Sequence, residues 1–166
     1  MTKTLVLVRH ANRDNSRREL DNGLDDKGRE QAKNIKRFMS QRFSTEDFSR
    51  GVWFVSSPKL RCLETLSPAA KSYDRSVDVH PDLDEGGVKE GPNGLETRVT
   101  RFLKEWNASK VGVTVVCSHG DWLPLATFQL LGLHHEYKKG SWMELESESG
   151  RTYLKWYVPS FKSFYK

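Results

Sequence analysis

Two histidines in this chain stand where an apolar run gives way to a loop. Arg9-His10 closes the run Thr4-Leu5-Val6-Leu7-Val8, and Ser118-His119-Gly120 follows Val113-Thr114-Val115-Val116-Cys117. A third run, Val52-Trp53-Phe54-Val55, ends at Ser56-Ser57-Pro58, with Arg61 three positions further on. An imidazole titrates near neutral pH and can act there as a nucleophile or as a donor. A guanidinium offers a planar fork of donors that matches the oxygens of a phosphate or carboxylate. Two of each, brought together, make a site for a doubly charged oxyanion, most simply phosphate. Arg9, His10, Arg61 and His119 are therefore the residues that the fold has to collect.

The three runs are rich in β-branched residues and have the length of fully buried strands, and strands of that kind belong to parallel sheets. In open α/β sheets, ligands bind outside the carboxyl ends of the strands, so topology alone would bring the four residues to one pocket. Each strand also leads into a helix start. Ser57 reads as an N-cap with Pro58 at the first helical position, which puts Arg61 in the first turn. Asp121 and Pro124 give a similar start to the apolar stretch Leu125 to Leu131. The unpaired N–H groups of such helix ends suit an anion.

Around these elements, Ala32, Ile35, Phe38, Met39 and Phe43 recur at helical spacing from Asp26 onward, with Lys33, Lys36 and Arg37 turned to solvent. Leu60 to Ser72 reads as a second helix, which Pro68 should kink or end. Leu95 to Trp106 reads as a third, with Val99, Phe102, Leu103 and Trp106 on one stripe. A short strand near Val77 to Val79 lies between the second and third helices. Ser141 to Glu146 and Thr152 to Val158, joined through Glu148-Ser149-Gly150, read as a hairpin. With no linker, repeat or low-complexity tract, the 166 residues read as one α/β domain spanning 1–166, long enough to bury roughly 70% of its extended surface.

The net charge is +5, and Arg13, Arg17 and Arg18 follow His10. They either extend a positive field toward the pocket or form a solvated basic loop. Asp14, Glu19 and Asp21 dilute that charge, which argues against a nucleic-acid partner. The segment Trp156 to Lys166 mixes aromatics with lysines; packing against the domain or a partner subunit is favoured over stacking on bases. No apolar run reaches the length of a membrane span, and the first strand starts too early for a signal peptide. Cys62 and Cys117 are too few for a disulfide framework, so a cytoplasmic protein is expected, as a monomer or weak dimer. His134-His135 lack the partners that would make a metal site.

Four segments carry a resemblance. Leu7-Val8-Arg9-His10-Ala11, Leu24-Asp25-Asp26-Lys27-Gly28-Arg29-Glu30-Gln31-Ala32, Ser56-Ser57-Pro58-Lys59-Leu60-Arg61-Cys62-Leu63-Glu64-Thr65 and Val116-Cys117-Ser118-His119-Gly120 resemble, in order, the motifs of the histidine phosphatase superfamily. The resemblance covers Leu5 to about Leu131. It implies the phosphoglycerate mutase-like fold, a three-layer α/β/α sandwich on a mostly parallel central sheet. It further implies that His10 is the nucleophile that becomes phosphorylated, that Arg9 and Arg61 hold the phosphoryl oxygens and that His119 is the second histidine of the pocket. Neither a metal nor another cofactor is expected, because positioned guanidinium donors can stabilise the transferring group.

In many relatives a glutamate in a Leu-x-Glu segment protonates the leaving group, and Leu83-Asp84-Glu85 matches that segment. Glu85 is the candidate acid, with Asp84, Glu90 and Asp121 behind it; the alternative is a solvated loop residue. The glycine-rich stretch Gly86 to Gly94 would make this a mobile loop that closes over substrate. Ala11-Asn12-Arg13 departs from the larger branches, which have glycine after the first histidine, and with the small size it is closer to SixA-like protein phosphohistidine phosphatases. Those enzymes often lack the acid, so Ala11 and Glu85 point to different substrates, a phosphohistidine protein or a phosphorylated small molecule. Asn12, Arg13 and Ser57 are candidate contacts to substrate. A phosphate-binding pseudoenzyme, a phosphomutase and a basic nucleic-acid-binding protein are the competing readings.

Overall fold

The computed structural model describes residues 1–91 and 93–163. Its central sheet is built from β1 (Lys3–Arg9), β2 (Val52–Ser56), β3 (Asp78–Val79), β4 (Val113–Ser118), β5 (Trp142–Glu148) and β6 (Arg151–Val158). The helices are α1 (Asp26–Arg42), α2 (Leu60–Lys71), α3 (Gly94–Ala108) and α4 (Trp122–Leu131). The strand order is β3-β2-β4-β1-β5-β6. The first four in that order run parallel to their neighbours, and β5 and β6 add an antiparallel edge.

The continuous apolar run in β1 is explained by what covers its two faces. Val6 and Val8 pack in one cluster with Ile35 and Met39 of α1 and Leu66, Ala69 and Ala70 of α2. Leu5 and Leu7 pack in another with Val99 and Phe102 of α3 and Trp122, Leu123 and Ala126 of α4. Successive side chains point to opposite faces, so a strand covered on both sides needs apolar residues at every position. The result is the three-layer sandwich expected from the sequence.

Two expectations at α2 need correction. Pro58 is not in the helix; Lys59 occupies the N-cap position and Leu60 begins the helix, with no side-chain cap bond. The Ser57 hydroxyl accepts from the Lys59 N–H at 3.3 Å, ahead of the helix, and both Asp21 carboxylate oxygens accept from the Leu60 N–H, at 3.2 and 3.1 Å. Of the kink or end expected at Pro68, the end does not occur, and the helix continues to Lys71. A proline removes one amide donor, and burial of Ala69 and Ala70 in the core holds the last turn in place.

At the other edge, β5 and β6 are longer than the sequence suggests and are joined by Ser149-Gly150, both with positive φ (51° and 78°), the backbone geometry that matches the twist of a two-residue hairpin. The C-terminal aromatics divide by environment. Phe161 is buried and lies 5.0 Å from the Phe38 ring, whereas Tyr153, Leu154 and Trp156 are exposed on β6. Phe164, Tyr165 and Lys166 fall outside the described residues. Among the described residues, no helix is long and apolar enough to cross a membrane, and no group of three or more His, Cys, Asp or Glu side chains could hold a metal ion.

Candidate active site

Parallel pairing of β1, β2 and β4 places their carboxyl ends at one edge of the sheet, and the ladder runs one step beyond them. The His10 N–H donates to the Ser118 carbonyl and the Ser57 N–H to the Cys117 carbonyl, both at 3.0 Å. This sets His10 beside His119, with ring centroids 5.3 Å apart and planes tilted by 60°. Arg61, in the first turn of α2, reaches the same point: its Nη2 is 3.3 Å from His119 Nδ1. Both histidines and Arg61 are buried.

The surroundings of His10 select one tautomer. Its Nδ1 lies 2.8 Å from the Ala11 carbonyl oxygen, which can only accept, so Nδ1 carries the proton and Nε2 keeps the lone pair. Burial pushes the His10 pKa down to about 4, with the charges of Arg61, Arg9 and Lys139 acting in the same direction and the Ala11 bond opposing them. Burial pushes His119 to about 2, with Arg61, His10, Lys59 and Arg9 adding to it. Both rings are neutral at pH 7, as a nitrogen nucleophile requires.

Charging these rings favours the unfolded chain, where a histidine titrates near its ordinary value. Each folded pKa is depressed, so the unfolded state binds more protons once the pH falls below about 6.5. Stability is therefore expected to be flat above that pH and to fall by about 1.4 kcal/mol per pH unit for each histidine between about pH 6 and 4.5. Urea midpoints across this range test it, and His119→Gln should show a shallower slope than wild type. Equal slopes would refute the assignment.

Arg9 crosses under the other strand end. Its Nη1 donates to the Tyr137 carbonyl, and its guanidinium packs so close to Gly120 that a Cβ there would lie 2.7 Å from Arg9 Cζ. The glycine after His119 is what leaves room for this arginine. Arg9 Nε and Arg61 Nε are buried without a protein partner. Buried donors of that kind call for an explanation.

Glu85 reaches the pocket. Its Oε1 lies 2.8 Å from Arg61 Nη2 and its Oε2 3.8 Å from His119 Nδ1. Asp84 sits on the other side of His119, with Oδ1 3.7 Å from Nε2. The remaining alternatives have other partners. Glu90 pairs with Arg98, whose hydrogen bonds hold its carboxyl below the usual range, and Asp121 accepts from the Trp122 and Gly86 N–H groups. The expectation of a mobile loop needs qualification at its base. Arg98 on α3 donates to the carbonyls of Asp82, Asp84 and Glu85, at 2.9, 2.8 and 3.1 Å, and the Ser118 hydroxyl donates to the Leu83 carbonyl at 2.7 Å. The backbone that carries Glu85 is fixed from both sides.

Ser57, read from sequence as an N-cap and a substrate contact, is the partner of His119: its Oγ lies 2.8 Å from His119 Nε2 and 3.4 Å from Asp84 Oδ1. Arg61 can only donate to His119 Nδ1, so with this arrangement the His119 proton sits on Nε2 and Ser57 passes its own toward Asp84. Asn12 contributes backbone: its N–H donates to Gln31 Oε1 at 2.8 Å and its carbonyl accepts from Asp25 at 3.2 Å. Arg13 folds over its own loop to donate to the Arg18 carbonyl.

Residues not singled out in the sequence build the cradle for His10. Thr65 lies one turn beyond Arg61; its Oγ1 accepts from the Ala11 N–H at 2.9 Å and donates to the Arg61 carbonyl at 2.7 Å. Gln31 receives Asn12 and donates from Nε2 to the Lys139 carbonyl at 3.1 Å. Asp25 caps α1 by accepting from the Gly28 N–H at 2.7 Å, and Ala32 and Leu24 pack against Ala11. The second sequence motif is thus the platform on which the loop of His10 rests.

Gly28 is the tightest point of that platform, since a Cβ would fall 1.9 Å from the Asn12 carbonyl oxygen. Alanine would favour the helix by about 1 kcal/mol, but relieving the overlap by moving backbone costs about 1–3 kcal/mol. Gly28→Ala is therefore expected to lower stability slightly and to reduce kcat by about tenfold to a hundredfold, because the loop carrying His10 must shift. Paired urea titrations and turnover measurements check both halves; unchanged kcat would show that the loop is not held here.

No curated protein matches the chain by sequence. Among solved structures it is similar to mycobacterial hydrolase 1, with a TM-score of 0.75 and 20% identity over 96% of this chain and 100% of that one. It is also similar to a mycobacterial glucosyl-3-phosphoglycerate phosphatase, with a TM-score of 0.72 and 18% identity over 93% and 98% of the two chains. A phosphoserine phosphatase from Entamoeba histolytica, in complex with phosphoserine, gives a TM-score of 0.67 and 16% identity over 93% and 96%. These likenesses show the shared fold. The family model for branch 1 of the histidine phosphatase superfamily matches residues 5–93, more than half of the sequence, and the chain belongs to that superfamily.

Proposed function

We propose that the protein is a metal-independent phosphatase that hydrolyses small-molecule phosphomonoesters through a phosphohistidine at His10. The observation that carries this reading is the position of Glu85 beside Arg61 and His119, opposite a histidine whose Nε2 lone pair is free. In the first step His10 Nε2 attacks phosphorus, the ester P–O bond breaks and Glu85 gives its proton to the leaving oxygen. In the second, Glu85 takes a proton from water, whose oxygen attacks the phosphohistidine, releasing phosphate and neutral His10. Arg9 and Arg61 stabilise the charge that spreads over the phosphoryl oxygens. His119 lines the pocket as a neutral ring that accepts from Arg61 at Nδ1 and donates to Ser57 from Nε2.

Glu85 favours an ester over a phosphohistidine, since an alkoxide needs a proton to leave and an imidazole is a better leaving group. The similar structures named for phosphoserine and for glucosyl-3-phosphoglycerate support a small-molecule substrate. Rapid-quench labelling with a radiolabelled phosphomonoester tests the proposal. One acid-labile, base-stable phosphate per chain, lost in His10→Ala, is the expected result. Binding without labelling would instead make the protein a phosphate-binding pseudoenzyme, and turnover of a phosphohistidine protein alone would move it to the other substrate class.

A further inference from the structure

A cavity of about 410 Å³ opens beside the loop of His10, and its walls include Asn12, Gln31, Lys27, Lys138, Lys139 and Lys162. No carboxylate lines it, and among the described residues none of the four lysines has a carboxylate within ion-pair distance. Four ammonium groups around one cavity repel one another, and Lys27 lies in the first turn of α1, the end of a helix where a cation is disfavoured. Asp25 and Asp26 at the start of α1 offset part of this charge, and the excess that remains would suit a bound anion.

The cavity is joined to the phosphoryl site by covalent and hydrogen-bonded links. Asn12 is two residues from His10, and the Gln31 amide ties the Asn12 N–H to the Lys139 carbonyl. The next residue, Gly140, donates its N–H to the carbonyls of both Arg9 and His10. Burial lowers the Lys139 pKa, the charges of Arg9, Arg13 and Arg61 act in the same direction and the Asp25 carboxylate opposes them, and the charge of Lys139 acts in turn on His10. One wall of the cavity is therefore also the strap that holds the nucleophile.

We infer that this lysine-lined cavity binds a second phosphoryl group of the substrate while the first sits on His10. The inference rests on the phosphatase reading of the His10 pocket. The recognition chemistry is that of point charges, since lysines grip a dianion without the fixed geometry of an arginine fork. Such a site would act mainly on KM, because the second group binds equally in the ground and transition states.

The test compares an n-alkyl phosphate with the α,ω-alkanediol bisphosphate of the same chain length, across several short chains. A bisphosphate offers two equivalent esters, so a statistical factor of two is expected with no subsite at all. With the subsite, kcat/KM for the best-fitting bisphosphate is expected to exceed that of its monoester by roughly tenfold, through KM, as two or three partly exposed ion pairs would give. In Lys27→Gln/Lys138→Gln the ratio should fall to about the statistical factor. Calorimetric binding of the same two compounds to His10→Ala separates the two claims. Tighter, lysine-dependent binding of the bisphosphate by that variant supports the subsite even if no ester is hydrolysed. A wild-type ratio at the statistical factor for every chain length, or a preference that survives the double substitution, overturns it.

Discussion

Replacing His10 with alanine is expected to lower kcat on any phosphomonoester by about 10⁴-fold or more, the order of loss when a covalent nucleophile is removed from a site whose remaining groups stay in place. The ring is held by its own backbone and by its neighbours: Nδ1 on the Ala11 carbonyl, the main chain on Ser118, the strap of Gly140 across its carbonyl. The Nδ1 bond goes with the imidazole, but the main-chain bonds to Ser118 and Gly140 do not need it, so the loop keeps its course in the variant. Arg9, Arg61 and His119 remain, and inorganic phosphate should still bind within a few-fold of the wild-type affinity. That retained binding separates a missing nucleophile from a misfolded pocket. Activity within about tenfold of wild type would mean that water attacks phosphorus directly and that His10 only orients it.

The second large effect concerns the leaving group. Glu85→Gln keeps the shape of the side chain and an oxygen for Arg61, but it has no proton to give. General acid catalysis of this kind contributes about 10² to 10⁴-fold, so kcat/KM for an alkyl phosphate is expected to fall by about 10³-fold. A nitrophenolate leaves without protonation, and p-nitrophenyl phosphate should lose less than about tenfold in the first step. The contrast between the two substrates is the diagnostic. Equal losses on both would assign Glu85 to binding through Arg61 rather than to proton transfer. Glu90→Gln serves as the control: its carboxylate is engaged with Arg98, and both substrates should be turned over normally.

The parts of this site that were legible in the sequence are those governed by strand pairing and burial. Apolar runs ending at Arg9-His10, Val55-Ser56 and Cys117-Ser118 specify parallel strands, and parallel strands put the residues after them side by side. Arg61 was placed by its offset from the end of β2, even though the helix starts two residues later than Ser57 and Pro58 suggest. That shift was not legible because the acceptor for Leu60 is Asp21, distant in sequence and on a loop without periodicity. The platform was legible only as a motif. Nothing in the spacing of Asp25, Gly28 and Gln31 says that each touches the loop of His10, because those contacts join segments through side-chain amides and a missing Cβ. Thr65 left a fainter signal, four residues beyond Arg61 and so on the same helical face. Lys139 left none; its place depends on how β5 enters the sheet beside β1.

Arg98 clasps two ends of one segment. It takes the carbonyls of Asp82, Asp84 and Glu85 on one side and the Glu90 carboxylate on the other, so the glycine-rich stretch beginning at Gly86 closes on itself. Insertions or exchanges within that stretch can be accepted without displacing the carboxylate that precedes it. A loop grafted between the two ends that Arg98 holds is therefore expected to leave Glu85 where it stands beside Arg61.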